Sequence, residues 1–296
     1  MNLSAIVRST RPSFLILSPL CVLLGAGIAV QHGLVPPLLQ LALCLLGGLL
    51  AHIAVNALNE YQDFTSGLDL LTEKTPFSGG SGALPESPES SLPVLAVAAG
   101  SLLISIAIGV WLAPHNPLPL LLLGLIGVLL IVGYTRWINR YPWLCLIAPG
   151  LGFGLVMVVG TTLALGGRLD SATWLVAAIP FFLVNNLLLL NQFPDIDADA
   201  QVGRSHLPIR HGTRLSAHIY LVQLFAALAL ILHGALSGTL PQSALLALLP
   251  LIAGLYAWRG AMRVGRQIGK RPHYLAANVI ATLGCCAVLG LALLIV

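Results

Sequence analysis

Nine apolar runs of 18 to 24 residues succeed one another along this 296-residue chain, and together they point to a membrane. A bilayer's hydrocarbon core is about 30 Å thick, and a helix needs around 20 apolar residues to cross it. The runs occupy 13–31, 35–58, 93–113, 117–135, 142–165, 172–192, 214–235, 241–258 and 273–295. Turn-formers separate them: Pro36-Pro37, Pro114 with Asn116-Pro117, Gly166-Gly167 and Pro241. Charged residues make up 8% of the chain, where a soluble domain carries about a quarter. That leaves too little polar surface to clothe a water-soluble globule. The sequence therefore predicts one all-α integral membrane domain over 1–296, with about nine transmembrane helices. Arg8 and Arg11 precede an apolar run as in a signal peptide, but eight further runs make this the first permanent helix. Cys21, Cys44, Cys145, Cys285 and Cys286 all fall in apolar runs without metal-ligand spacing, and read as packing residues.

Charge placement orients the chain. With the N-terminus in the cytoplasm, loops after even-numbered helices are cytoplasmic. Those segments hold Arg8, Arg11, Lys74, Arg136, Arg140, Arg204, Arg210, Arg214, Arg259, Arg263, Arg266, Lys270 and Arg271, which is 13 of the 14 basic residues. Only Arg168 lies opposite. The positive-inside rule then predicts an inner (cytoplasmic) membrane protein with a cytoplasmic N-terminus and its C-terminus on the other side. The basic stretch from Arg259 to Arg271 reads as facing anionic lipid. The bilayer, and no nucleic acid, is the expected partner of these loops.

The acidic residues escape that rule, so their placement says more. Glu60, Asp63, Asp69, Glu73, Glu86, Glu89, Asp195, Asp197 and Asp199 all fall in two cytoplasmic loops, 59–92 and 193–213, and only Asp170 does not. The second span ends in Asn56-Ala-Leu-Asn59-Glu60-Tyr-Gln-Asp63, whose oxygens recur at i, i+3/4 and i+7 on one helix face. The sixth ends in Asn191-Gln-Phe-Pro-Asp195-Ile-Asp197-Ala-Asp199, with Asn191, Asp195 and Asp199 at i, i+4 and i+8 if the helix continues past Pro194. Four crossings separate the two ends, so both lie on one membrane side and can face each other over a cavity. Asp197 points away and is expected to be solvated.

Clustered carboxylates near hydrocarbon are costly. Divalent metal relieves the cost, and Mg²⁺ typically takes one or two carboxylates plus substrate phosphates. Two such clusters suit a metal–diphosphate, with Lys74, Arg136, Arg140, Arg204 and Arg210 as counter-charges for phosphate oxygens. The stretch from Lys74 to Pro85 is rich in Gly and Ser and can lay backbone N–H groups over phosphates, or serve as a lid. Tyr134 and Tyr141 read first as interfacial aromatics, with a site role open beside Arg136 and Arg140. His52, His218 and His233 lack partners at ligand spacing and read as core or interface histidines. Gly150, Gly152 and Gly154 read as a close helix contact.

At these residues the sequence resembles the UbiA superfamily of intramembrane prenyltransferases over nearly its whole length. Arg11-Pro12 is similar to the family's opening. Asn59-Glu60-Tyr-Gln-Asp63 with Gly67 and Asp69 is similar to its first Asp-rich motif, in the spacing of the menaquinone-pathway (MenA-like) branch. Asp195-x-x-x-Asp199 followed by Gly203-Arg204 and Leu207-Pro-Ile-Arg210-His-Gly212 resembles its second. The resemblance implies a helical bundle around a central cavity and Mg²⁺-dependent transfer of an isoprenoid chain. The chain would pass from a prenyl or polyprenyl diphosphate to an aromatic or quinone-precursor acceptor resembling 1,4-dihydroxy-2-naphthoate. It assigns Asn59, Asp63, Asp195 and Asp199 to the metal, with Asp63 and Asp195 central to catalysis, and Lys74, Arg140, Arg204 and Arg210 to the diphosphate. Asn56, Glu60, Asp69, Tyr134, Asn191 and Arg136 form a wider candidate set. Glu60 stands where the family usually has Asp, and Arg204 where Lys is common.

Three other classes are weighed against this, of which a CDP-alcohol phosphotransferase is disfavoured because its Asp-x-x-Asp-Gly…Gly…Asp-x-x-x-Asp run is absent. A membrane terpene cyclase would share the diphosphate chemistry without an acceptor. A non-enzymatic transporter would place ionisable groups at mid-membrane depth, whereas here they sit at helix ends.

Overall fold

The computed structural model describes residues 2–295. Among them the chain is helical throughout, with thirteen α-helices: α1 Leu3–Ser9, α2 Leu17–Gln31, α3 Leu38–Thr65, α4 Ala83–Glu86, α5 Ser91–Leu112, α6 Pro117–Gly133, α7 Pro142–Gly150, α8 Gly160–Ala164, α9 Ser171–Asn191, α10 Ile196–Gln201, α11 Leu207–Leu236, α12 Leu248–Val264 and α13 Pro272–Leu294. Seven helical segments are long and apolar enough to cross a bilayer, and the α1–α2 pair, bent by 45°, supplies an eighth. α6 is a shorter apolar helix of 17 residues. Every one of the nine apolar runs coincides with one of these elements; the fourth is the one too short to be counted as a full crossing. The protein is a multi-pass membrane protein.

Local chemistry places the breaks. Pro12 opens a 3-10 turn after Arg11, which adopts φ 51, a left-handed conformation rare outside glycine. α7 runs into α8 through a π-helical stretch, Leu151–Val159, so Pro142–Ala164 is one span with a widened middle. α11 is kinked at Gly212 (φ 80, ψ 164), and its membrane-crossing part follows the kink. α3 has 28 residues, about 42 Å of helix. That exceeds the hydrocarbon core, so its last turns carry Asn59–Asp63 to the membrane rim.

α9 is the most buried span and forms the centre of the bundle. It lies against α7, α11 and α13, and α13 in turn packs on α2 and α12. Gly150 and Gly154 permit the close approach to α9 expected of them, whereas Gly152, read with them as a helix contact, has open space around it and lines the cavity described below. A Cβ on Gly150 would sit 2.3 Å from the Phe181 carbonyl oxygen, and one on Gly154 2.6 Å from the Phe181 nitrogen. In lipid, helices gain little from hydrophobic burial and adhere through packing and interhelical hydrogen bonds. Here Asn186 donates to the Tyr220 carbonyl, Asn278 donates to the Asn186 carbonyl, and the Tyr220 hydroxyl donates to Asn278 Oδ1, all at 2.9–3.0 Å. By contrast α5 and α6 expose Leu103, Ile104, Leu118, Leu122 and Leu129, none of which lines the central cavity described below. Such a surface would be an aggregation hazard in water and is ordinary against acyl chains.

Candidate active site

The end of α3 meets the turn after α9 at the mouth of a cavity of about 840 Å³. Its rim carries Asn56, Asn59, Asp63, Asp69, Asn191, Asp195, Asp199, Arg11 and Arg204. Its deeper wall is apolar and runs down between α2, α3, α5, α6 and the π-helical stretch. The two acidic motifs thus share one cavity, the arrangement the sequence predicted.

They reach it differently than a continuous helix would. α9 stops at Asn191, the chain turns through Gln192 to Pro194, and a short α10 begins after Asp195. Pro194 cannot continue the hydrogen-bond ladder. Even so, Asp199 N–H bonds to the Asp195 carbonyl at 2.8 Å, so one turn of α10 restores the Asp195–Asp199 register. Asn191, Asp195 and Asp199 all line the cavity despite the break. Asp197 points outward, is exposed, and pairs with Arg266.

Arg204 stands between the motifs. It donates through Nη2 to Asp63 and through Nη1 to Asp199 Oδ1, the latter at 2.8 Å. Its charge is held more firmly than usual; burial opposes this, and Asp63 and Asp199 more than offset it. His206 Nε2 meets the second Asp199 oxygen at 2.9 Å. Because a carboxylate only accepts, that nitrogen is the donor. Arg11 donates to Asn59 Oδ1 at 3.2 Å and to Glu60 Oε2 at 3.3 Å, while Asn59 Nδ2 donates to Thr135 at 2.9 Å. Asn56 Nδ2 is tied to the Thr10 carbonyl at 3.0 Å.

The Gly/Ser loop lies over this mouth, and Pro76 to Gly80 line it. Thr75 and Ser78 close a turn with hydrogen bonds of 2.8–3.0 Å, and glycines at 79, 80 and 82 take positive φ. The loop is fastened to both motifs: Gly79 N–H donates to Asp195 Oδ2 at 3.2 Å, and Ser81 N–H to Glu60 Oε2 at 3.1 Å. Glu60 is fully buried yet lies outside the cavity wall, so it serves as the loop's anchor.

Not every residue in the wider set converges. Lys74 lies beyond the loop, in a neighbouring pocket of about 260 Å³ shared with Arg8 and Arg11. Arg136 is exposed and lies over the Trp137 ring; Arg140 is the exposed last residue of a 3-10 turn whose Ile138 and Asn139 are buried; Arg210 is exposed on α11. None of these four lines the main cavity. Tyr134 does. Arg11 and His206 are the rim residues that a reading for carboxylates and phosphate cations passes over. For Arg11 the signal was its place before Pro12, and for His206 its place just before a helix start.

Four carboxylates and two guanidiniums line the cavity mouth, leaving it short of positive charge. Asp195 Oδ1, Asp69 Oδ2 and Asn191 Oδ1 are buried with no hydrogen-bond partner among the described residues. Burial, reinforced by Asp199, pushes Asp195 up to about 7; burial, reinforced by Glu60 and Asp63, does the same to Asp69. Orphaned acceptor oxygens in an under-neutralised pocket fit a hard divalent cation. Among the described residues no three His, Cys, Asp or Glu side chains form a ready-made metal cage. The site therefore suits a cation whose shell is completed by a ligand's own oxygens.

An all-helical, multi-pass membrane protein with an acid-rimmed intramembrane cavity is the class that fold and site define. The chain belongs to the UbiA prenyltransferase family, whose model matches residues 18–271. It is 29% identical over 241 residues to a 1,4-dihydroxy-2-naphthoate octaprenyltransferase of Bacillus subtilis, covering 77% of this chain and 74% of that one. It is 31% identical over 180 residues to one of Haemophilus influenzae, covering 59% and 58%. In fold it matches a UbiA homolog from Aeropyrum pernix at TM-score 0.69 and 21% identity, over 93% of this chain and 96% of that one. A UbiA homolog from Archaeoglobus fulgidus bound to DMAPP and Mg²⁺ matches at 0.65 and 15%, over 98% of each.

Proposed function

We propose that this membrane prenyltransferase transfers an isoprenoid chain from a prenyl or polyprenyl diphosphate to an aromatic, quinone-precursor acceptor of the 1,4-dihydroxy-2-naphthoate class, releasing diphosphate. One observation carries the reading: both acidic motifs and the Gly/Ser loop converge on the mouth of a single apolar cavity. Diphosphate belongs at the charged mouth and an isoprenoid tail in the apolar depth. The relatives' names support the acceptor class.

Asn59, Asp63, Asp195 and Asp199 would hold Mg²⁺, with Asp69 and Asn191 beside them. When bound, the metal supplies charge stabilisation for a departing diphosphate. Arg204, already at the mouth, supplies a cation with two N–H donors toward phosphate oxygens. Loop N–H groups cover the same space. Lys74, Arg140 and Arg210 remain proposed phosphate contacts that would have to move inward, Lys74 with its loop. Below the rim, the apolar wall excludes water from the allylic cation left by diphosphate departure, so that the acceptor carbon captures it. By the positive-inside rule the basic loops support a cytoplasmic mouth in an inner-membrane protein.

Purified protein in detergent, given a labelled prenyl diphosphate and 1,4-dihydroxy-2-naphthoate, should form a prenylated product and release diphosphate, both suppressed by EDTA. A hydrocarbon product without acceptor would instead indicate a cyclase, and no diphosphate release at all would sink the enzymatic reading.

A further inference from the structure

The polar stripe of α3 continues below the rim. His52 lies one turn beneath Asn56 and seven residues before Asn59, about 10 Å deeper along the axis. It is 6% exposed and lines the cavity, in a stretch otherwise walled by Leu17, Gly48, Val55 and Phe153. Its Nδ1 is hydrogen-bonded to the buried Ser18 hydroxyl of α2 at 2.9 Å, and its ring meets Phe153 edge-on at 4.8 Å and 72°. These contacts fix the imidazole on two sides. The hydrogen bond to Ser18 engages Nδ1, which leaves Nε2 to meet a group in the cavity that the residue lines. Phe153 belongs to the π-helical stretch, a form of helix that recurs at functional sites.

A ring nitrogen fixed in place at a cavity wall can bond to a polar group of the ligand that fills the cavity, whereas covering it with a wholly apolar ligand would cost about 1–3 kcal/mol. An isoprenoid chain offers none. A hydroxylated aromatic acceptor offers both donor and acceptor atoms, and satisfies either imidazole tautomer.

We propose that His52 is an acceptor-binding residue: held by Ser18 and Phe153, it receives a ring hydroxyl of the aromatic acceptor below the diphosphate and so selects hydroxylated rings. The inference rests on the prenyltransferase reading and adds which wall of the cavity the acceptor lies against. The Phe153 ring edge offers that wall an aromatic contact for the bound ring.

Steady-state kinetics with 1,4-dihydroxy-2-naphthoate and one prenyl diphosphate separates the possibilities. His52→Phe keeps a planar ring and removes both ring nitrogens, so the acceptor KM should rise about five- to tenfold while the prenyl diphosphate KM stays within about twofold. His52→Gln should recover most of the loss. Ser18→Ala, which leaves the imidazole in place but unanchored, should shift the acceptor KM the same way by less, and covers the case in which His52→Phe does not fold. An unmoved acceptor KM in the folded variants, or a shift confined to the prenyl diphosphate, would overturn the assignment of His52. Inactive wild-type protein would instead overturn the function on which it rests.

Discussion

Asp63 and Arg204 stand 141 residues apart in sequence and form an ion pair at the cavity mouth, with Asp199 on the other amino group of the same guanidinium. One buried cation therefore joins the first acidic motif to the second. Breaking a buried pair by removing one partner leaves uncompensated charge and costs on the order of 3 kcal/mol. Arg204→Gln should lower the thermal midpoint of the metal-free protein in detergent. Adding Mg²⁺ with a non-reactive prenyl diphosphate analogue should restore stability only in part. A midpoint equal to wild type would show that the bridge does not hold the motifs together.

Substitution of the carboxylates should sort by direction. Asp63→Asn and Asp195→Asn face the cavity and should lower turnover by about a hundredfold or more, since metal-borne charge stabilisation is worth several kcal/mol. Asp197→Asn, on the solvent side and paired with Arg266, should stay within about threefold. An Asp197 variant as inactive as the others would mean that the outward face of α10 is misassigned.

The pH dependence of the metal-free protein follows from the raised carboxyls. Asp69 and Asp195 titrate near 7 when folded against 3.8 ordinarily, because burial penalises their charged forms. The unfolded chain gives up these protons more readily, so metal-free stability should fall as pH rises from about 4 through about 7. Thermal scans should show a higher midpoint at pH 6 than at pH 8 without metal, and a larger Mg²⁺-induced rise at pH 8. The opposite slope would mean that these carboxyls are already neutralised.

Order in the Gly/Ser loop depends on Gly79, whose φ of 79 places an added Cβ 2.6 Å from the Glu73 carbonyl oxygen. Gly79→Ala should disrupt the loop and free its contact with Asp195, raising the prenyl diphosphate KM several-fold and protease cleavage within 74–85. Unchanged cleavage and KM would show that the loop does not cover the substrate.

The α7–α9 contact sets the bundle's centre. Gly150→Ala presses a methyl against backbone rather than against a flexible side chain. It should destabilise the protein by about 2 kcal/mol or more, read as a lower midpoint in detergent. Gly152→Ala has open space and should be close to neutral.

Much of this was legible in the sequence because hydrophobic length is a strong signal. The runs predicted at 142–165, 172–192 and 273–295 agree with Pro142–Ala164, Ser171–Asn191 and Pro272–Leu294 to within a few residues. Gly150 and Gly154 gave their contact away because only small residues let helix backbones approach. The meeting of Asp63 with Asp199 followed from crossing parity alone. Other features depend on tertiary geometry that no local pattern encodes. A broken α9–α10 junction and a continuous helix both bring Asp195 and Asp199 to the cavity, so the period of four did not distinguish them. Arg140 and Arg204 look equivalent as cations near helix ends; only the packed bundle shows Arg204 inside the mouth and Arg140 outside. Glu60 read as part of a metal motif, whereas its neighbours fasten it to Ser81. His52 read as a core histidine because its cavity is walled by residues from four other segments.

The most direct test of the account is equilibrium binding of a non-hydrolysable prenyl thiodiphosphate to the purified protein, with and without Mg²⁺. Binding should require the metal and be lost on mutating either motif alone, in Asp63→Asn as much as in Asp195→Asn. Retention of metal-dependent binding in either variant, or tight binding in EDTA, would contradict a site shared by the two motifs.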